Sequence, residues 1–560
     1  MALTRRSRRW IIVLSVLALL VGGLFHYADR LAANALHHVA ALAEKGGHRI
    51  TFGSVQVSLL KAHIRLEDLN VVPMADSTVE DSAVRYTVHA DRIDLRGVEL
   101  MALLRRNVLH VGHIELHGPS VLHSFVPRGL KQAAADSLPN EKPNGKGLPL
   151  DVLRVDTLLI ADATGRSQDR SADAPALSIG VLDLLITGIR LVPDAQGRAV
   201  PDVASVQLDL HKAETHLKPY YTLTLDSARI RIPQDTAILF GVRFTPDVAP
   251  KQYHKLVDHQ VELYRAVVDT LMLSGFDLSA RLRDGTVRAQ ELRVAGVALD
   301  IHRDKTLPLG PVHPKPLLAD RITRMHVPVQ VDTVRVLRGT VTYHERLKPG
   351  ADFGSISFTH IAGQLTGFSN LPQPNAPDLH LVGSAHVGHA RAQVDIRMPM
   401  ASAHTTVDVH VRLKGFPATD MNRMTDELLH VTATQGTIHL VDMRMRGDDQ
   451  RATGTIDLHY EDLAMQLGTE IKHAKLLTKV ANMAVRGSNM PNTKGYRKGQ
   501  FTVEKPMNAG VFKYIWISLR TGMIEVMLPQ LLLKQMHKQQ EKKGRKEARK
   551  EGRQRNKKGA

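Results

Sequence analysis

Along most of the 560 residues, apolar side chains recur at every second position, the period of a strand with one face in water. The alternation is clearest from Pro377 onward, where HLVGSAHVGHARAQVDIRMP, TTVDVHVRLKG, GTIHLVDMRMRG and ATGTIDLHYEDLAMQL are separated by Gly or Pro turns. In the second of these, Val407, Val409, Val411 and Leu413 form an apolar row against Asp408, His410 and Arg412. Upstream, the pairs Ile50/Phe52, Val55/Val57 and Ile64/Leu66 predict a hairpin or meander, and Val84 to Ala90 a further strand. Strands are also expected at 150–160 and near 177–192, 203–216, 221–232 and 237–244. Helical spacing is confined to 28–44, to 252–270 (which turns strand-like at its end), to ATDMNRMTDELL and to an apolar segment near 515–533. The pattern predicts a mainly β protein built on an antiparallel sheet, with a few short helices.

One stretch returns. Ile93 to His123, IDLRGVELMALLRRNVLHVGHIELHGPSVLH, matches Leu271 to Ile301, LMLSGFDLSARLRDGTVRAQELRVAGVALDI, without a gap. Gly97 falls on Gly275, Leu100 on Leu278, Arg105 on Arg283 and Gly118 on Gly296. Each copy reads as strand, glycine turn, one apolar helical turn, then strand. The echo continues in Val155-Asp156-Thr157 against Val331-Asp332-Thr333, and in Thr187-Gly188 against Thr366-Gly367. A fixed-register self-match marks repeated architecture, so a β-module is expected twice, at 84–195 and 262–373.

Charge sharpens the two ends and little else. Of the net charge of +18, Lys534 to Ala560 supplies twelve Lys/Arg against three Glu, and Arg5, Arg6, Arg8 and Arg9 supply four more positive charges. The body is therefore nearly balanced, which disfavours nucleic acid as a partner. Aromatics at 4% leave few platforms for stacking bases, and zero cysteine excludes disulfides and thiolate metal sites. The run IIVLSVLALLVGGLF behind the arginines, bracketed by Trp10 and Tyr27, reads as a membrane anchor with the arginines cytoplasmic. A cleavable leader would need a cut such as Ala33-Asn34-Ala35, well beyond the apolar run. The expected order is a basic end (1–9), anchor (10–27), juxtamembrane helix and first hairpins (28–83), module (84–195), intervening strands and helix (196–261), second module (262–373), a C-terminal β-domain (374–508), an apolar packing or interfacial segment (509–533) and a basic disordered tail (534–560).

Candidate chemistry is sparse. The 29 histidines stand singly at polar strand positions, as at His386, His389, His404 and His410, without metal-ligand spacing. The acidic pairs Asp448-Asp449 and Glu461-Asp462 sit on adjacent strand positions, which point to opposite faces and do not converge. No nucleophile elbow, phosphate loop or dinucleotide fingerprint is present, so no catalytic, cofactor or metal residue is assigned and no enzyme is expected. The repeated Val-Asp-Thr, found also at 268–270, reads as a recurring strand start.

The anchor, the strand pair ITFGSVQVSLLKAHIRLEDLNV and the cassette VHADRIDLRGVELMALLRRNVLHVGHIELHGPSV resemble the AsmA-like family, its DUF748-type relatives included. LKGFPATDMNRM, TQGTIHLVDMRM and GTIDLHYEDLAMQL resemble that family's C-terminal domain. The resemblance implies an inner-membrane-anchored, single-pass periplasmic protein with an elongated, curved, β-taco-like groove. Such a groove would bind or transfer phospholipid or another envelope lipid and support outer-membrane biogenesis. Val407, Val409, Val411 and Leu413 are the expected lipid-facing row, and the basic tail an expected contact for anionic headgroups or lipopolysaccharide. The competing expectation is a periplasmic scaffold with a dry, closed sheet that binds an envelope protein.

Overall fold

The structure is a computed structural model that describes residues 48–58, 62–73, 85–99, 108–125, 152–169, 175–193, 199–217, 219–373, 376–400, 405–422, 431–467 and 487–528. The expected anchor, juxtamembrane helix and basic tail lie outside these residues, as does the polar, breaker-rich stretch 131–146, whose composition reads as a surface loop. Among the described residues no helix is long and apolar enough to cross a membrane. Strands dominate, as the alternation predicts, and the chain divides into two compact units: Met1–Val248 with Arg265–Val294, and Ala249–Tyr264 with Ala295–Ala560.

In the first unit β1 (His48–Thr51) and β2 (Ser54–Ser58) both pair with β3 (His63–Pro73), which pairs with β4 (Arg85–Val98). Beside β4 runs a kinked line made of β5 (Val108–His117) and β6 (Ser120–Phe125), bent at Gly118-Pro119. Both lie parallel to β7 (Val152–Asp169). The expectation of a wholly antiparallel sheet is therefore corrected: the sheet is mixed. Parallel neighbours need a crossover of roughly a dozen residues or more, and the stretch between Phe125 and Val152 supplies 26. From β7 the order is antiparallel through β8 (Pro175–Pro193), β10 (Ser205–Leu217), β11 (Tyr221–Ile232), β12 (Thr236–Pro246) and β13 (Glu262–Ser274), with β9 (Ala199–Asp202) on the end of β8.

The helical reading of 252–270 holds only at its start: α1 (Pro250–Tyr253) is helical, a turn follows, and β13 is the strand-like end, beginning earlier than the spacing suggests. Val267, Val268, Leu271 and Leu273 are placed in register against β12, and the β-branched Val267, Val268 and Thr270 suit a pleated surface better than a helix. The apolar turn of the cassette is seen in its second copy as α2 (Leu278–Asp284). Asp277 caps its first turn by accepting from the Ala280 amide at 2.8 Å, and Gly285 ends it at φ 77°.

In the second unit β15 (Val329–Arg346), β16 (Gly354–Ser369), β17 (Leu379–Val387), β18 (Ala390–Met398), β19 (Thr406–Pro417), β20 (Val431–Asp448), β21 (Arg451–Leu467) and β22 (Gly499–Glu504) follow one another antiparallel. Among the described residues, α3 (Leu318–Thr323), a 3-10 turn at Ala418–Met421 and α4 (Val511–Met527) lie along this part of the chain. The remaining strand, β14 (Val287–Asp304), is shared, because the division between units falls within β13 and β14.

The strands of the two copies correspond where both are described. β14 occupies the positions that β5 and β6 hold in the first copy, while β7 and β15 are each 18 residues long. The paired glycines share a conformation: φ is 68° and 62° at Gly97 and Gly275, 58° and 66° at Gly118 and Gly296, and 65° and 73° at Gly188 and Gly367. The third pair shows why glycine is needed, since a Cβ on Gly367 would sit 2.3 Å from the Asp378 carbonyl oxygen. Register also slips at equivalent places, beside Asp162 (φ 57°) in β7 and beside Arg338 (φ 55°) in β15. Such bulges bend the strand and increase its twist.

Candidate functional site: an uncovered aliphatic face and a polar cleft

Cross-strand register in the first unit assembles three adjacent apolar rows. One runs Leu158–Ile186–Val206–Ile232. The next runs Ile160–Leu184–Leu208–Ile230–Ala237–Leu273 over six strands. A third runs Leu182–Leu210–Ala228–Leu239–Leu271. Residues two apart on a strand share a face, so the rows form one aliphatic surface. The intervening positions hold Gln207, Asp209, Arg229 and Arg231, with Arg231 Nη2 2.6 Å from Asp209 Oδ2. Of the fifteen row residues only Ala228 and Ile232 are buried; the others keep part of their surface in solvent. The buried core of this unit lies elsewhere, in Ile64, Leu66, Leu95, Val98, Val111, Leu153 and Val155. At roughly 4.8 Å between strands, a six-strand row is about 24 Å long, more than the roughly 15 Å that one leaflet's acyl chains span in a bilayer.

The row expected to face lipid is placed differently. Val407, Val409, Val411 and Leu413 are only 0, 4, 9 and 8% exposed, inside a core that protein closes. Val409 lies between Ile396 and Met445, Val411 opposite Met443, and Leu413 opposite Val441. The same core takes Leu317, Ala319 and Ile322 from the α3 segment and Val511, Tyr514, Ile515, Leu519, Val526 and Met527 from α4. α4 is thus the packing element expected of 509–533. Alternation alone located an apolar face but could not say what covers it; the cover comes from helices distant in sequence.

The polar side of this second sheet forms a cleft of about 760 Å³ across β15 to β19. Arg335, Arg391, Arg412, His380, His410 and Asp395 are among its lining residues. Its floor is bare where Gly363 and Gly383 stand directly opposite each other. Arg412 donates from Nε and Nη2 to Asp442 Oδ2 at 2.9 and 2.7 Å, and His410 Nε2 is 2.8 Å from Oδ1. Burial pushes the Asp442 carboxyl up, but Arg412 and His410 outweigh it and hold the group below its ordinary 3.8. Arg391 makes no ion pair among the described residues, which leaves a cation free in the cleft.

Many of the lone histidines turn out to have carboxylate partners. His63 meets Asp94 at 2.7 Å, His380 meets Asp395 at 3.0 Å, His389 meets Asp420 at 2.7 Å, His439 meets Glu461 at 2.9 Å and His459 meets Asp457 at 2.8 Å. In four of these the partner lies on another strand or turn, so sequence spacing carried no signal; only the register reveals it. His404 lies outside the described residues. Asp156 of the first Val-Asp-Thr pairs with His110 at 2.9 Å, and all three copies sit inside strands, not at their starts. Asp448 caps a turn by accepting from the Gln450 and Arg451 amides at 2.7 and 2.8 Å, while Asp449 pairs with Lys505 at 3.2 Å. Asp94, Glu115 and His117 bring ligand atoms within 4.8 Å of one another, a spacing a metal ion could bridge. Arg65, Arg92 and Arg96, at 2.8, 3.0 and 3.2 Å, already neutralise the two carboxylates, so the group is a structural ion-pair cluster.

Asp94, Asp304, Asp442 and Asp457 all have carboxyls held below the ordinary 3.8, because cationic or hydroxyl donors outweigh burial. A carboxyl with a depressed folded value binds protons more readily when unfolded, so its stabilisation is complete above 3.8 and fades as pH falls through the lower folded value. Urea midpoints are expected to drop steeply below about pH 4, and Asp442→Asn should make the drop shallower. A drop equally steep in the variant would show that this carboxyl does not contribute. No protein-family model matches the chain, and no curated protein is similar to it.

Proposed function

We propose that the chain is a lipid-handling protein of the bacterial envelope. In this reading 10–27 anchors it in the inner membrane with its N-terminus cytoplasmic, and the body stands in the periplasm. The observation that carries the reading is the aliphatic face of the first unit. Three neighbouring rows offer only hydrocarbon, and among the described residues no protein layer closes them, whereas a sheet face of this kind must be covered by something. Acyl chains match it in chemistry, since the rows contain no donor or acceptor that would be left without a partner, and in length. The finer picture, a curved groove that carries phospholipid toward the outer membrane, follows the resemblance to AsmA-like proteins. The scaffold reading draws instead on the closed core of the second unit and its polar cleft.

Photo-crosslinking separates the two. A photoreactive residue at Leu184, Leu208 or Ile230 is expected to trap phospholipid, and one at Asp209, on the opposite face, to trap none. Trapping of a single stoichiometric protein from the aliphatic rows, with no lipid, would replace the lipid reading by the scaffold.

A further inference from the structure

Two segments of the second unit carry large apolar side chains into solvent. Leu309 is 73% exposed and Val312 56% on the Pro-rich loop, Met507 60% just before α4, and Phe512 67% on its first turn. A chain with 12 Phe in 560 residues leaves one of them on the surface here. The segments are tied together: the Lys315 amide donates to the Met507 carbonyl at 2.9 Å or less (2.8 Å), and Lys505 Nζ donates to the Lys315 carbonyl at 2.7 Å. Lys505 is itself fixed by Asp449 at 3.2 Å. The loop is therefore held against the start of α4.

Cations crowd the same place. Lys315 and Lys513 are exposed and make no ion pair among the described residues; Lys513 Nζ donates only to Asn508 Oδ1 at 3.0 Å. Behind them Arg303 and Lys305 are partnered by Glu262 at 3.7 Å and Glu345 at 2.5 Å. Partial desolvation first, and then the neighbouring Arg303, Lys315 and Lys305, hold the Lys513 ammonium below its ordinary value.

We propose that the patch formed by Val312, Met507 and Phe512, flanked by Lys315 and Lys513, docks on an anionic membrane surface. Apolar side chains that protrude beside lysines match a bilayer interface, where the former enter the acyl boundary and the latter meet headgroup phosphates. A partner of neutral, apolar surface would satisfy the apolar residues but leave the two ammonium groups at their rim unmatched. The patch lies wholly in the second unit, so the proposal does not depend on what occupies the aliphatic rows.

The test uses the full-length chain in phosphatidylcholine nanodiscs. With no native cysteine, Phe512→Cys takes a single environment-sensitive fluorophore. Acceptor vesicles of mixed phosphatidylcholine and phosphatidylglycerol should shift its emission to the blue, and phosphatidylcholine vesicles should do so far less. A label at Thr502→Cys, on exposed β22, should not respond. Lys315→Gln and Lys513→Gln should each weaken vesicle affinity about fivefold, the effect of one basic residue at an anionic surface. No response at position 512 to either vesicle, or an equal response at 502, would overturn the proposal.

Discussion

Leu208→Asp is expected to empty the aliphatic face of lipid while leaving the protein folded. Leu208 stands at the centre of the rows, directly opposite Leu184 on one side and Ile230 on the other, with Val206 and Leu210 along its own strand. A carboxylate there must keep water, and an acyl chain laid over it would have to remove that water. A charge in hydrocarbon costs about 3 kcal/mol even on lenient scales, and 1.4 kcal/mol is a factor of ten in affinity. Affinity should therefore fall by roughly a hundredfold, and phospholipid per protein, read by mass spectrometry of the purified chain, should drop sharply. Because Leu208 is only partly buried, its new carboxylate can stay hydrated in the empty protein, and the unfolding midpoint should move little. Val409→Asp is the counterpart in the closed core, where no water reaches and unfolding is the expected result. If Leu208→Asp keeps the parent's lipid content, acyl chains do not lie on these rows.

The second large effect is expected at Gly522. Here the backbone of α4 rests almost directly on the sheet. A Cβ at Gly522 would lie 2.9 Å from Ile456 Cγ2 and 3.0 Å from Phe501 Cδ1. One at Gly499, on β22, would lie 2.9 Å from the Gly522 carbonyl oxygen and from Val526 Cγ2. Two opposing effects must be weighed. Replacing a mid-helix glycine with a better helix former gains about 1 kcal/mol. Forcing bulk into a packed contact costs about 1–3 kcal/mol, occasionally more, and lifting α4 also uncovers Tyr514, Ile515, Leu519 and Val526. Gly522→Ala should come out near balance, because one methyl group needs only a small shift. Gly522→Leu should lose several kcal/mol, since its side chain cannot be seated without separating helix from sheet. Urea titration would show the difference, and binding of a hydrophobic dye would report the uncovered core. A leucine variant as stable as the parent would mean that α4 is not seated as described.

Strand positions were legible because the chain alternates almost wherever it is sheet, and the repeat was legible because glycines such as Gly97 and Gly275 are spent on the same positive φ. Three kinds of information were not. The parallel partnership of β5 and β6 with β7 depends on a crossover, which leaves no periodicity in the strands it joins. The fate of 262–274 turned on a neighbouring edge, β12, that made a strand of a segment whose spacing also suits a helix. The candidate site was harder still. Val407 and Leu208 belong to equally clean apolar rows, and they differ only in that α4 and the α3 segment close the core around one and nothing described closes the other. The histidine–carboxylate pairs were hidden for a related reason, as His410 and Asp442 stand 32 residues apart in sequence.

The division of the chain into units has a consequence for how it can be made. Residues 249–264 belong to the second unit but precede 265–294, which belong to the first. The two are interleaved, so no single cut of the polypeptide yields both intact. As the chain is made from its N-terminus, β13 can close against β12 once Ser274 is out, but the first unit is complete only at Val294. Over that interval 249–264 is already out but has none of its own partners, which begin only at Ala295. Assembly is thus staged by chain order, and that short segment must wait for residues made after it.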